Sequence, residues 1–508
     1  MTTGPVEQPR STIDNQVMWA RLISVVEEQA QALLRTAFGS VVREAGDLSA
    51  GVYNVQGEML AQAVTGTPGH VNTMAMAVSH FLERFPLYSM KPGDVFVCNH
   101  PYEGGLPHVS DMAFAAPVIV GGRLIGFSGS TAHKADIGGT NPGSTSASST
   151  EIYQEGLLLP PIRIHEAGTP IADIERLILA NTRQPGLVQG DMRAQIAATE
   201  MGVRRLAEIC GRFGADVVED TFTAILDGAG RELRRAVAAL PDGVASAEGF
   251  MDDDGVDLDT PVCFAVTVKV EGEMVMFDLS GSGPQARGPV NLRPSMVEAC
   301  CFYSLIGCLG PDLQFNDGMR DCVRFHYAPR TVTNAEPPAP VSSYQKANLK
   351  LVDVILEALA EFRPERAIAN SGSSGSIAIS WQGGGRPGQA DLQYEIFSSA
   401  YGGGNGHDGA SAVATHLSNL HITPIEILES EFPCRITEFQ IIPDSGGPGR
   451  WRGGLSFRRS YELLQDAIVT RRYDRARFPP SGLVGGVPGH SSRFVIRVGT
   501  QEEEEMPA

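Results

Sequence analysis

The stretch from 108 to 133 constrains this chain more than any other. Two apolar runs, MAFAAPVIV (112–120) and RLIGFSGSTAH (123–133), are separated only by Gly121-Gly122. A Gly-Gly pair suits a two-residue hairpin because both turn positions accept φ > 0, so the runs are predicted to pair as antiparallel strands. Pro117 lacks an N–H, which predicts an edge position or a bulge in the first strand. With the turn centred on the glycines, Asp111 falls opposite Ala132 or His133. A carboxylate and an imidazole then meet at one end of the hairpin, within cross-strand reach. His108 precedes Asp111 closely enough to fold back on the same point.

Two imidazoles and a carboxylate with room for water form a common ligand set for catalytic zinc, and the set also suits iron or manganese. A metal there lowers the pKa of a water and polarises a carbonyl. His-x-x-Asp alone is a weak signal, and the same three residues also read as ordinary polar loop groups. Asp47 lies in a turn just before a strand and reads first as a turn or cap carboxylate. Asp136, in HKADIGG, reads as a further ligand, an outer partner or a turn residue. His70, after Thr-Pro-Gly, reads as a cap for the next helix or as a residue facing the site.

The rest of the chain sets the frame. Helical spacing predicts a helix over 12–44, a second over 71–85, helices across 170–240, and two more at 295–308 and 347–362. Strand patterns predict a hairpin over 48–64 around Gln56-Gly57, a short strand in DVFVCN, and strands from 245 onward, with a turn at Glu271-Gly272. Beyond 362 strand and glycine loop are predicted to about 500, ending in a solvated EEEE run. The fold class is therefore α+β: a large mixed multi-unit fold with an N-terminal helix, a metal-bearing β-hairpin region, a helical middle segment and a β-rich C-terminal part. The expected units are 1–165, 166–245 and 246–508, three for 508 residues at about 150 per domain.

Composition removes several function classes. With 42% hydrophobic and 19% charged residues the chain buries a large core rather than remaining disordered. A formal net charge of −19 argues against a nucleic-acid binder. No apolar run reaches the roughly 20 residues of a membrane span, and no signal peptide is visible at the N-terminus. Eight scattered cysteines without a Cys-x-x-Cys read as reduced thiols of a cytoplasmic protein. The glycine-rich stretches GSGSTAH, SGSSGS and YGGGNGHDG lack the Gly-Lys-Ser/Thr ending of a phosphate loop. No G-x-G-x-x-G opens a helix in a βαβ unit, so no nucleotide site is expected.

Longer motifs carry a resemblance. GDVFVCNHPYEGGLPHVSD, AHKADIGGTNPGS, STEIYQEGLLLPPIRI, GPVN, HLSNLHITPIEILESEFP, DSGGPGRWRGG and RFPPSGLVGGVPG occur in order. Through them the chain resembles the hydantoinase B/oxoprolinase family, over nearly its whole length. The resemblance implies a division of labour. A separate hydantoinase A-type ATP-binding subunit phosphorylates an amide or ketone oxygen, and the B-type subunit carries one divalent metal (zinc, manganese or iron) and completes hydrolysis or carboxylation. It implies a hetero-oligomer and a small cyclic amide substrate (a hydantoin, lactam or 5-oxoproline-like ring). Carried over by motif, it implies Asp47, His108, Asp111 and His133 as metal ligands; beside them, Asp136 or His70 is cast as proton shuttle or outer partner. One departure is Lys134, where many members have a second histidine. That cation is expected to repel a second metal or to contact an anionic substrate. An acetone-carboxylase-like carboxylase subunit and a non-catalytic scaffold for the A-type subunit are the competing readings.

Overall fold

The structure, a computed structural model, describes residues 12–310, 312–381, 391–397 and 399–506. The first helix, α1 (Thr12–Thr36), stops short of the predicted 44. Gly39 takes extended angles, and the Asp191 carboxylate accepts the N–H groups of Phe38 (2.7 Å) and Gly39 (3.0 Å). Those donors leave the helix ladder, and a separate turn, α2 (Ser40–Arg43), follows.

A seven-stranded antiparallel sheet comes next. Its strands are β1 (Leu48–Tyr53), β2 (Met59–Gln62), β3 (Val95–Cys98), β4 (Asp111–Val120), β5 (Arg123–His133), β6 (Ile162–Glu166) and β7 (Thr169–Pro170), in the order β2-β1-β5-β4-β3-β6-β7. The β4–β5 hairpin turns at Gly121 (φ +58°) and Gly122 (φ +83°), as their lack of a Cβ allows. The bulge expected from Pro117 lies one residue further on, between Val118 and Ile119. Pro117 itself pairs with Phe127 on β5, past the point where β3 ends its pairing with β4, so no ladder bond is lost on that side.

Strand alternation sorts the two faces. Ala113 and Ala115 of β4 pack with Met74, Ala77 and Phe81 of α3 (His70–Arg84). Met112, Phe114 and Ala116 pack with Ile178 of α4 (Ala172–Ala180) and Val188 and Met192 of α5 (Pro185–Phe213). Helix α6 (Ala215–Val237) joins α1 and α5 over β1.

A second, four-stranded sheet holds β8 (Gly243–Met251), β9 (Val262–Glu271), β10 (Met274–Asp278) and β11 (Val323–His326) in the order β11-β10-β9-β8. Its apolar face packs against α7 (Pro294–Leu309) and α8 (Tyr344–Ala360) in the largest core cluster. A third sheet places β12 (Gly375–Trp381) between β13 (Leu392–Phe397) and the later β18 (Ala467–Arg472). Three short pairs complete the strands: β14 (Ser399–Ala400) with β15 (Ser411–Val413), β16 (Cys434–Ile441) with β17 (Phe457–Leu463), and β19 (Val495–Ile496) with β20 (Glu504–Glu505). One helix, α9 (Ile425–Glu431), lies where only strand and loop were expected. The α+β class holds, with several sheets and no barrel among the described residues. All eight cysteines are free thiols, seven of them buried. No helix among the described residues is long and apolar enough to cross a membrane.

Candidate metal centre

The bulge between Val118 and Ile119 decides the register that the sequence left open. It sets Asp111 opposite His133 and Met112 opposite Ala132. Asp111 has the parity of Ala113 and His133 that of Thr131, whose hydroxyl donates to Met74 Sδ of α3 (2.9 Å). Both side chains therefore project on the α3 face. Asp47, immediately before β1, joins them at the same end, its carbonyl accepting the His133 N–H (3.2 Å). His70 is the first residue of α3, with Gly69 at the N-cap and no side-chain capping bond. Its ring instead faces the strand ends.

The result is a buried group of three imidazoles and two carboxylates. Asp111 is central: His108 Nε2 lies 3.1 Å from Oδ1, His133 Nδ1 3.3 Å from Oδ1, and His70 Nε2 3.2 Å from Oδ2. Asp47 flanks it, with His70 Nε2 at 3.5 Å and His133 Nδ1 at 3.9 Å, and accepts the Thr67 hydroxyl (3.1 Å). Ligand atoms of His108, Asp111 and His133 all lie within 4.8 Å of one another. Several of these buried atoms have no hydrogen-bond partner: both ring nitrogens of His70 and of His108, Asp111 Oδ2 and His133 Nε2. Buried polar atoms are normally satisfied, so this concentration marks a place for a guest. Nitrogen and carboxylate donors in this number suit zinc, manganese or iron. The residues thus fit the ion that the sequence motifs imply.

Charge coupling without such an ion is strong. Burial alone would raise the Asp111 pKa, but His108 and His70 overcome it and hold the carboxyl well below its usual range. Burial opposes the His70 imidazolium, yet Asp111 and Asp47 outweigh it and raise its pKa. His108 goes the other way: burial, with help from His133 and Arg472, outweighs Asp111 and lowers it. Two imidazoles beside one carboxylate are thereby pushed apart in proton affinity.

Lys134 does not face the cluster, although its charge is felt by Asp111 and Asp47. One step along the strand from His133, it points to the opposite face, where Nζ donates to Ala132 O (3.1 Å) and to Gln195 Oε1 on α5. Asp136 also turns away. Its Oδ1 accepts from Gly138 N, Thr182 Oγ1 and Arg183 N, and its Oδ2 from Gly143 N and Arg183 Nη1, all at 2.8–3.2 Å. It anchors the loop after β5, and no contact joins it to the five-residue cluster among the described residues.

The far half of the chain supplies the cover. Tyr394 of β13 stacks on His133 (5.0 Å, 9° between planes), and Tyr344, the first residue of α8, meets His108 edge-on (4.8 Å, 60°). Arg472, at the end of β18, lines the same cavity. The enclosed space is about 20 Å³, room for one water-sized guest. None of these three residues stood out in the sequence.

The comparisons agree with this architecture. The sequence model of the Hydantoinase B/oxoprolinase family matches residues 11–508. The B-type chain of a putative D-/L-hydantoinase from Pseudomonas sp. (strain NS671) is 31% identical, over 97% of this chain and 85% of the relative. The crystal structure of the ATP-dependent caprolactamase from Pseudomonas jessenii superposes with a TM-score of 0.89 at 26% identity, covering 98% of this chain and 87% of that one. An acetone carboxylase in its nucleotide-free form shares the fold, with a TM-score of 0.86 at 21% identity over 96% of this chain and 67% of that one. With nearly every described element inside these matches, the chain belongs to the hydantoinase B/oxoprolinase family.

Proposed function

We propose that this chain is the metal-dependent B-type subunit of an ATP-dependent cyclic amide hydrolase. It acts on a ring amide phosphorylated by a separate A-type subunit, and the pair works as a cytoplasmic hetero-oligomer. The observation that carries this reading is the buried set of three imidazoles and two carboxylates with unpartnered ligand atoms. The names of the hydantoinase and caprolactamase relatives support the substrate class.

Asp47, His108, Asp111 and His133 hold the ion. When bound, a divalent cation polarises a carbonyl and lowers the pKa of a water. His70 lies against both carboxylates and is placed to accept a proton at Nε2 and return it to the leaving nitrogen as the ring opens. Tyr344 and Tyr394 fix the His108 and His133 rings and keep bulk water from an activated amide that hydrolyses in the open. Asp136 shapes the loop next to this site without entering it.

The test is metal analysis of the purified chain, then assays with the A-type subunit on a panel of hydantoins and lactams. Ring opening should require both chains, ATP and the metal. Equal turnover without ATP, or micromolar ATP binding by this chain alone, would overturn the reading. Incorporation of bicarbonate carbon into product would identify a carboxylase instead.

A further inference from the structure

Among the described residues, the most deeply buried arginines are matched by carboxylates, with Arg472 the exception. Arg475 pairs with Asp353, and Arg459 lies 3.2 Å from Glu395. Arg472 is only 5% exposed, yet no carboxylate among the described residues comes within ion-pair distance of it. Its partners are neutral: Nε donates to Ser376 Oγ (2.9 Å), Nη1 to the Ser342 carbonyl and Nη2 to the Tyr394 hydroxyl. A guanidinium carries five N–H donors, so two remain. Neutral acceptors orient a charge without cancelling it, and a buried charge is ordinarily paired.

The place of this cation matters. Arg472 lines the cavity that also exposes Asp47, His108 and His133. The two carboxylates there are already engaged by imidazoles. With a divalent ion they are balanced; the nearby buried carboxylate of Glu155 feels the charge of Arg472 but accepts the Val341 and Ser342 N–H groups rather than the guanidinium, leaving the fork itself without a direct anionic partner. The pieces holding it come from three separate segments: the approach to α8, strand β12 and strand β13. They fix the fork beside the candidate metal ligands rather than letting it reach solvent.

We propose that Arg472 is an oxyanion receptor, its two free N–H groups binding a phosphoryl or carboxylate oxygen of the substrate or product beside the metal. This rests on the function proposed above, where the activated amide carries a phosphoryl group and the opened ring a carboxylate. The closed cavity is too small for such an anion, so its entry requires the lining to part.

Calorimetry on the metal-loaded full chain tests the assignment, with inorganic phosphate and acetate as probes. In Arg472→Met, phosphate affinity should fall about ten- to a hundredfold, as expected for lost charge-assisted bonds, with metal content unchanged. Acetate binding that depends on Arg472 where phosphate binding does not would assign the receptor to the product carboxylate. Should Arg472→Met fail to fold, Arg472→Lys keeps the charge but not the fork and should bind the anion about tenfold more weakly. Equal affinity in wild type and the folded variant, or no binding of either anion by wild type, would overturn the proposal. A protein that bound phosphate through Arg472 but never held metal would instead sink the functional reading and leave the receptor standing.

Discussion

Asp111 and Asp353 are both fully buried carboxylates, and burial alone would raise the pKa of each; in both cases neighbouring cations reverse the effect. They do so differently. Asp353, on α8, holds Arg475 and accepts from His416 Nε2 (2.8 Å), Ser371 N (2.9 Å) and Ser371 Oγ (3.3 Å). A permanent cation closes that knot. Its spare atoms, including Arg475 Nη1, His416 Nδ1 and Asp474 Oδ2, mix donors with an acceptor, a combination that water bridges. Asp111 touches only imidazoles, whose charge varies near neutrality, and its unpartnered neighbours are ring nitrogens and a carboxylate oxygen. The difference teaches how to tell a structural ion knot from a guest site: ask whether the chain supplies its own fixed cation.

The sharpest way to break the comparison is to remove each carboxylate. Asp353→Ala strands a buried guanidinium, and the chain should lose about 3–5 kcal/mol of stability; denaturant unfolding measures this, with metal content per folded chain unchanged. Asp111→Ala should do the reverse. Metal affinity should drop by about 3–4 kcal/mol, the share of one ligand in a four-ligand site, while the metal-free protein unfolds near the wild-type midpoint. If Asp111→Ala kept its metal and unfolded as early as Asp353→Ala, the two clusters would be of one kind.

A pH titration sharpens the contrast. Lys350, beside the Asp353 knot, is pushed down to about 8, by burial first and then by Arg475. The folded state then holds this proton less tightly than the unfolded chain does. Below pH 8 both states are charged and the cost is constant. Between pH 8 and the unfolded value of 10.5 the unfolded chain binds more protons, so stability should rise with pH. The gain is at most about 3 kcal/mol, read as unfolding midpoints from pH 7.5 upward, and Lys350→Met should flatten it. The smallest effect belongs to His70→Ala. Loss of an outer partner should weaken metal binding about tenfold, by competition with a chelator, leaving the other four residues in place.

The hairpin was legible because its signal is local: a Gly-Gly turn between two apolar runs places Asp111 near His133 with no knowledge of the rest. The face of Lys134 was legible too, since alternation puts it opposite His133, although the family pattern at that position drew attention to charge instead. Asp136 kept three readings open, as ligand, outer partner or turn residue, because nearness in sequence says nothing about where a loop carboxylate points after a strand ends; its bonds to the loop backbone match the last. His70 was half legible, because a histidine opening a helix serves equally as cap or as contact, and only the packing of α3 on the sheet chooses. Tyr344, Tyr394 and Arg472 were illegible. They lie more than 200 residues beyond the hairpin, and only the assembly of separate sheets brings them over it.

The bulge between Val118 and Ile119 makes the hairpin a vernier. Its one extra residue, lying between the turn and the chemistry, aligns Asp111 with His133. A single insertion beside Ile125 that did not widen the bulge would slide the β5 arm by one notch and present Ala132, sending His133 to the α5 face and Lys134 toward the carboxylates. Insertions and deletions in this turn are therefore not neutral loop variation; they are tolerated only in compensating pairs, and a length change near residue 120 in a homologue should be matched by another within the same two strands.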